Sequence, residues 1–276
     1  DDKGPLISCL YAMKYLKEQN LIPDDIKVRM IVGTDEEANW LSITKYLQTK
    51  PEIPEISIVP DASFPVIFCE KGLINLTLTI PVVSKSILPQ ENRLSFSIEY
   101  LSGGERVNVV AAEANCILSC DRENADLTEV VSDINRISQK WDAAISVKLL
   151  GDGKLSISAE GKAAHAMTPE KGINAISYIM MLLYSLSQCD RYYFIQEDLL
   201  AFFRKYFGLE FDGASLGIKA SDEESGELTV NIGLMEMQGN RLQLGLNLRY
   251  PVTDTFKRIS SAVEAVCKKE NAAVEY

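Results

Sequence analysis

Apolar residues recur with two different periods along this chain, and the change near residue 72 divides it into two parts. In the first part, helical periodicity alternates with short runs of consecutive apolar residues. Such runs are typical of strands that are buried on both faces, as in a parallel sheet. The predicted elements here are two helices, over 4–20 and 38–48, and two strands, over 27–34 and 56–60. Their helix-strand-helix-strand order predicts part of a parallel α/β layer.

From Leu73 onward, apolar residues recur at every second position of the predicted strands. The segments 73–80 and 93–100 are clear cases, and the pattern is typical of antiparallel strands with one solvated face. Further strands are predicted over 114–120, 144–149, 154–160, 227–236 and 241–248, and helices over 126–140, 172–187, 196–206 and 254–269. The predicted fold class is therefore a partial α/β domain, residues 1–72, followed by an α+β domain, residues 73–276, with an antiparallel sheet and helices on one side.

Composition narrows the classes of partner. The 276 residues are 46% hydrophobic, which suffices for one large or two modest buried cores. With 39 acidic and 28 basic residues the net charge is -11, so we expect no nucleic-acid partner and no anionic membrane partner.

The longest apolar stretch, about 173–186, is too short to span a bilayer. The six scattered cysteines contain no Cys-x-x-Cys pair, which is typical of reduced thiols and predicts a cytoplasmic location.

Carboxylates cluster at three places in the first part, each at the end of a predicted strand or at the start of a predicted helix. They are Asp1-Asp2, Asp35-Glu36-Glu37 and Asp61. In open α/β sheets, sites form beyond the carboxyl ends of the strands, and carboxylates gathered there favour divalent cations. By itself, an Asp-Glu-Glu run is more typical of a solvated first helical turn. The coincidence of three clusters at one edge favours a metal site.

Six segments of the chain carry a family resemblance. They read Asp-Asp-Lys-Gly-Pro at 1–5, Gly-Thr-Asp-Glu-Glu at 33–37, Val-Pro-Asp-Ala at 59–62, Phe-Cys-Glu-Lys-Gly at 68–72, Ser-Gly-Gly-Glu-Arg-Val-Asn at 102–108 and Leu-Asn-Leu-Arg-Tyr-Pro at 246–251. In this order they resemble motifs of the co-catalytic dizinc exopeptidases, which include carboxypeptidase G, aminoacylase and succinyl-diaminopimelate desuccinylase (DapE). Pro5 and the last three segments are most similar to the PepV-type bacterial dipeptidases. The resemblance implies a partial catalytic domain over 1–72, a lid domain over 73–276, and an internal fragment of a longer enzyme.

The resemblance also implies residues for the metal chemistry. Asp1 is similar to the carboxylate that bridges two zinc ions, Glu37 to a ligand of one zinc ion and Asp61 to a ligand of the other. Glu36 is similar to the general base that takes a proton from metal-bound water. A shift of one position would exchange Asp1 with Asp2, so the bridging ligand is either of the two.

Three further residues resemble groups of the lid. His165, the single histidine, lies in a Gly-x-x-x-His segment similar to the donor that stabilises the tetrahedral oxyanion. Asn108 is similar to a residue that contacts the substrate near the reacting carbonyl, and Arg249 to the residue that binds the C-terminal carboxylate of a dipeptide. Without the resemblance, they would be interpreted as a hydrogen-bonded histidine, a turn asparagine and a surface cation.

The chain departs from the family pattern in its histidines. It has neither the His-x-Asp motif that normally precedes Asp-Asp-Lys-Gly nor a histidine near its carboxyl terminus. With His165 assigned to the lid, every available metal ligand is an oxygen, and zinc binds such sites weakly. We therefore expect low zinc occupancy and little activity in this chain, and an active full-length enzyme. Missing sheet strands would expose apolar surface, so we expect the fragment to self-associate, whereas the enlarged lid favours a monomeric full-length protein.

The resulting prediction is a zinc-dependent metallopeptidase that hydrolyses dipeptides, with a small peptide as its partner. Two alternatives stay open. One is an amidohydrolase that acts on N-acyl amino acids with the same metals. The other is a non-catalytic family member that serves as an interaction module.

Overall fold

The computed structural model describes residues 3–35, 40–61, 66–86, 93–122 and 124–276. The chain divides into two compact units, Asp1–Phe68 and Cys69–Tyr276. Three of the predicted site residues, Asp1, Glu36 and Glu37, lie outside the described residues.

The described part of the first unit contains two helices. Helix α1 (Lys3–Glu18) has proline in its first turn, where the missing N–H costs no helical hydrogen bond. Helix α2 (Leu41–Gln48) follows Trp40, whose backbone is left-handed with φ of 54°. The carboxylate of Asp35 accepts hydrogen bonds from the Ser42 backbone N–H at 3.1 and 3.2 Å. Hydrogen bonds from Ser42 also hold the pKa of Asp35 below its ordinary value, so this carboxylate is tied to the start of α2.

The two strands predicted for the first unit are wrong. Residues 27–34 and 56–60 are all described, and neither segment forms a strand. Ile56 is 85%, Ile58 86% and Val59 78% exposed. An apolar run shows that a segment can be buried, but a strand also needs a hydrogen-bonded neighbour, which the pattern does not report. The described residues of this unit therefore form no parallel α/β layer.

The second unit contains the strands and helices that the alternating pattern predicts. Its strands are β1 (Gly72–Pro81), β2 (Leu94–Gly103), β3 (Glu113–Cys120), β4 (Ala144–Gly151), β5 (Lys154–Glu160), β6 (Tyr192–Phe194), β7 (Ser221–Asp222), β8 (Gly226–Glu227), β9 (Thr229–Gln238), β10 (Arg241–Tyr250) and β11 (Ala273–Glu275). Its α-helices are α3 (Thr128–Ser138), α4 (Ala175–Ser187), α5 (Glu197–Tyr206) and α6 (Phe256–Lys269). The strands and helices predicted after residue 72 are confirmed, with ends that differ by up to three residues, and the short strands β6, β7, β8 and β11 were not predicted.

The strands form a mostly antiparallel sheet in the order β11-β1-β10-β9-β2-β3-β5-β4, with β6 parallel to β2. Strands β2 and β9 are paired where Ser102 lies opposite Glu236 and Gly103 opposite Met235. This two-residue ladder joins two larger parts. We call β11-β1-β10-β9 the first half-sheet and β2-β3-β5-β4 the second half-sheet.

The hydrophobic core lies between the helices and one face of the sheet. Leu246 and Leu248 of β10 are buried in it and alternate with Asn247 and Arg249, which lie on the opposite face. Helix α4 contributes eight buried residues. The side chain of Asn174 accepts hydrogen bonds from the first N–H groups of α4, and this cap explains why the helix begins at residue 175 and not at the predicted 172.

Among the described residues, no helix combines the length and the apolar character that crossing a membrane requires. All six cysteines are described, and none forms a disulfide. Cys116, Cys120 and Cys267 are buried, as expected of reduced core thiols.

Candidate functional site

Arg249 lies near the end of β10, on the face of the first half-sheet that is turned away from the core. In register, it lies opposite Leu73 of β1 and Thr229 of β9. Its Nε donates a hydrogen bond to Oδ1 of Asn247 at 3.1 Å. One edge of the guanidinium is thus fixed by its own strand.

The charge of Arg249 is only half-exposed and has no carboxylate within ion-pair distance among the described residues. Burial lowers the pKa of Arg249, and the more distant charge of Glu70 offsets this in part. A cation that is partly removed from water is stabilised by an anionic partner. The site therefore favours an anion beside Arg249.

Asn108 and His165 lie on two neighbouring segments that run antiparallel. Val109 and His165 form an isolated β-bridge. The N–H of Ala166 donates to the carbonyl of Asn108 at 2.9 Å. The structure thus brings these two predicted residues together through their backbones.

Two buried side chains of β9 anchor these segments to the sheet. Nδ2 of Asn231 donates to the carbonyl oxygens of Val107 and Val109 at 2.8 and 3.0 Å. The hydroxyl of Thr229 donates to the carbonyl of Ala166 at 3.2 Å. Asn231 is 1% and Thr229 7% exposed, so all three hydrogen bonds are donated by buried side chains.

The same two side chains connect the segments to Arg249. Thr229 lies opposite Arg249, while Asn231, Asn247 and Asn75 occupy facing positions on β9, β10 and β1. Nδ2 of Asn247 donates to Oδ1 of Asn75 at 2.6 Å. The three predicted lid residues are therefore gathered around one polar patch of the first half-sheet.

Glycine permits the segment that carries Asn108 to lie directly on β9. A Cβ on Gly233 would lie 2.4 Å from the carbonyl oxygens of both Arg106 and Val107. A Cβ on Gly104, whose φ is +74°, would lie 1.8 Å from the carbonyl oxygen of Gly233. No larger residue fits either position without moving the backbone.

His165 has a defined hydrogen bond at one ring nitrogen. Its Nδ1 accepts from the backbone N–H of Met167 at 3.1 Å. In the neutral form of the ring, this hydrogen bond selects the tautomer with the proton on Nε2. An Nε2–H is a donor of the type that stabilises a developing oxyanion.

A cavity of about 630 Å³ lies where the two half-sheets meet. Val109 and Ala163 line it from the two segments, and Glu105, Glu113 and Glu236 add carboxylates. Its lining is negative, so it favours neutral or cationic groups over anions.

Asp61 is the one predicted metal ligand among the described residues, and it is exposed in the first unit. Within the described part of the chain, no group of three or more His, Cys, Asp or Glu side chains is arranged to hold a metal ion. The described residues alone therefore do not assemble a metal centre.

The sequence motifs do not point to Thr229, Asn231 and Asn247. Their signal was present, since each is a polar residue between apolar neighbours in a predicted strand. Alternation is normally interpreted as one solvated face, but here the polar positions are covered by the segments that they anchor.

Comparison with known proteins shows what the chain is similar to. Residues 147–275 match the M20 family model that is described as a peptidase dimerisation domain. "Putative dipeptidase YtjP" of Bacillus subtilis (strain 168) is 34% identical over 274 residues, which are 98% of this chain and 55% of that protein. "Putative dipeptidase SAB1611c" of Staphylococcus aureus (strain bovine RF122 / ET3-1) is 32% identical over 262 residues, 94% of this chain and 52% of that protein. The chain spans about half the length of the curated relatives that it matches.

Among solved structures, aminoacylhistidine dipeptidase from Vibrio alginolyticus aligns with 75% of this chain and 43% of its own. The identity is 13% and the TM-score 0.31, which is too low to establish a shared fold.

Proposed function

Because the chain belongs to the M20 metallopeptidase superfamily, we propose that the full-length protein is a zinc-dependent dipeptidase that hydrolyses the peptide bond of dipeptides. The names of its relatives support a peptidase, and the polar patch around Arg249 supports a substrate with a free carboxylate.

The observation that carries this proposal is the state of Arg249. In a chain with a net charge of -11, this half-buried guanidinium has no ion-pair partner among the described residues. A planar guanidinium fork is suited to bidentate binding of a carboxylate. The C-terminal carboxylate of a dipeptide supplies the missing anion, and a longer peptide places that group elsewhere.

The other two lid residues complete the proposal. His165 donates from Nε2 to the oxygen of the scissile carbonyl as negative charge develops there. Asn108, held beside His165 by the backbone hydrogen bond to Ala166, contacts the substrate near the same carbonyl. Because both segments are anchored to β9, the sheet sets the position of these groups relative to Arg249.

The metal chemistry is proposed from the family alone. M20 peptidases are generally metal-dependent, and a bound pair of divalent ions polarises a carbonyl and activates water. Asp1, Glu37 and Asp61 are the proposed ligands and Glu36 the proposed general base. Low zinc occupancy, little activity of this chain by itself, a cytoplasmic location and a monomeric full-length protein remain predictions. The match to a dimerisation domain supports self-association of the chain.

The test uses the full-length protein and a substrate pair, a dipeptide and the same dipeptide as its C-terminal amide. Replacing Arg249 with methionine is expected to lower kcat/KM for the dipeptide about 100-fold, since a charge-assisted pair contributes about 3 kcal/mol. The kcat/KM for the amide should change little. Arg241→Met is the matched control, because Arg241 lies on the same face of β10 and is exposed.

Equal losses on the two substrates would contradict the role of Arg249. Faster hydrolysis of an N-acyl amino acid than of the dipeptide would favour the amidohydrolase alternative, because both substrates carry a carboxylate and only the dipeptide carries a free amino group. No hydrolysis of either, in protein loaded with zinc, would favour the non-catalytic alternative.

A further inference from the structure

Asn247 lies between Arg249 and Asn75 in a chain of side-chain hydrogen bonds. Its Oδ1 accepts from Nε of Arg249 at 3.1 Å, and its Nδ2 donates to Oδ1 of Asn75 at 2.6 Å. Since a guanidinium has only donors, Asn247 must present its oxygen to Arg249, and its amino group then faces Asn75. The amide is therefore oriented from both sides.

The position of Asn247 is an unusual one for an amide. It is 1% exposed and lies between Leu246 and Leu248, which are core residues of β10. Burying an amide is costly unless its hydrogen bonds are made. Both of its side-chain bonds go to polar groups on the same face of the first half-sheet, and one of them goes to Arg249.

The bond at Nε also selects the edge of the guanidinium that remains for a ligand. A carboxylate can bind bidentately to the edge formed by Nε and one terminal nitrogen, or end-on to Nη1 and Nη2. Asn247 occupies Nε. Among the described residues, no protein acceptor is bound to Nη1 or Nη2 of Arg249. The end-on mode is the one that the protein leaves for a carboxylate.

Resting on the proposed function, we infer that Asn247 is a positioning residue that holds Arg249 so that both terminal nitrogens receive the C-terminal carboxylate of the substrate. Asn247 itself does not touch the substrate. Asn75 is the outer support of the same chain and fixes the amide of Asn247.

The experiment uses the full-length protein, with a dipeptide and its C-terminal amide as probes. Asn247→Ala frees the guanidinium to rotate, so KM for the dipeptide is expected to rise about tenfold, equivalent to about 1.4 kcal/mol. The kcat for the dipeptide and the kcat/KM for the amide are expected to change little. Asn75→Ala keeps the bond at Nε and is expected to raise KM by about two- to threefold. Gln243→Ala is the control, because Gln243 lies on the same face of β10.

The ratio of kcat/KM for dipeptide and amide is measured within one preparation, so it does not depend on the fraction of folded protein. A falling ratio in Asn247→Ala supports the inference. Equal losses on both probes would mean that Asn247 acts on folding alone, which overturns it. If the wild type does not prefer the dipeptide over its amide, the carboxylate site fails, and the inference fails with it.

Discussion

Asn231 is expected to hold the segment that carries Asn108 against the sheet, and Asn231→Ala tests this. The substitution removes two neutral hydrogen bonds, to Val107 and Val109, at about 1 kcal/mol each. Poorly solvated carbonyls left behind add about 1 kcal/mol. Against this, Oδ1 of Asn231 is buried without a hydrogen-bond partner among the described residues, so its removal recovers about 1 kcal/mol. The net cost is about 2 kcal/mol.

Amide hydrogen exchange locates this loss. The N–H of Ala166 is bonded to the carbonyl of Asn108, so its exchange reports the pairing of the two segments. A cost of 2 kcal/mol corresponds to exchange that is about 30-fold faster. Asn115→Ala is the matched control, because Asn115 is an exposed strand asparagine of the same sheet, and it should change stability by less than about 0.5 kcal/mol.

The result that refutes the reasoning is unchanged exchange at Ala166 in Asn231→Ala. Equal acceleration of all amides in the second unit would also refute it, because the loss would then be global and Asn231 would not be a local anchor.

Two further predictions concern stability. Gly233→Ala is expected to destabilise the second unit by about 2 kcal/mol through overpacking, while Gly4→Ala, where a Cβ meets nothing within 4 Å, serves as control in denaturant unfolding. Burial raises the pKa of Asp133, but hydrogen bonds from Tyr192 and the neighbouring arginines outweigh it, so the pKa lies below the ordinary 3.8. The ionised Asp133 therefore contributes to folding stability at pH values above this ordinary pKa, and the contribution is lost as the pH falls through the folded-state pKa. We expect Asp133→Asn to cost about 2 kcal/mol at pH 7 and progressively less below about pH 4; thermal unfolding curves that stay equally separated at all pH values would contradict this.

The sequence predicted the second unit far better than the first. Strict alternation gave β5 as residues 154–160, and the structure has Lys154–Glu160, because the two-residue period depends only on which side is buried. The apolar runs at 27–34 and 56–60 gave strands that do not form. Buried parallel strands depend on partners far away in the chain, and local composition cannot report whether those partners are in place.

The candidate site shows the same limit. Motif resemblance selected Asn108, His165 and Arg249, which the structure gathers on one face. It did not select Asn231 or Asn247, because a polar residue in an alternating strand has the same pattern whether water or a distant segment covers it. Only the tertiary structure separates these cases.

Because β1 pairs with β10, this part of the sheet can form only after β10 has been synthesised. The facing residues Asn75 and Asn247 are 172 positions apart. At about 5–20 residues per second, a ribosome delivers β10 about 10–35 s after β1. Strands β2 to β5 follow one another and can pair as they emerge. Leu76 and Leu78 of β1 must wait for β10, so β1 has a longer opportunity for misassembly than strands β2 to β5.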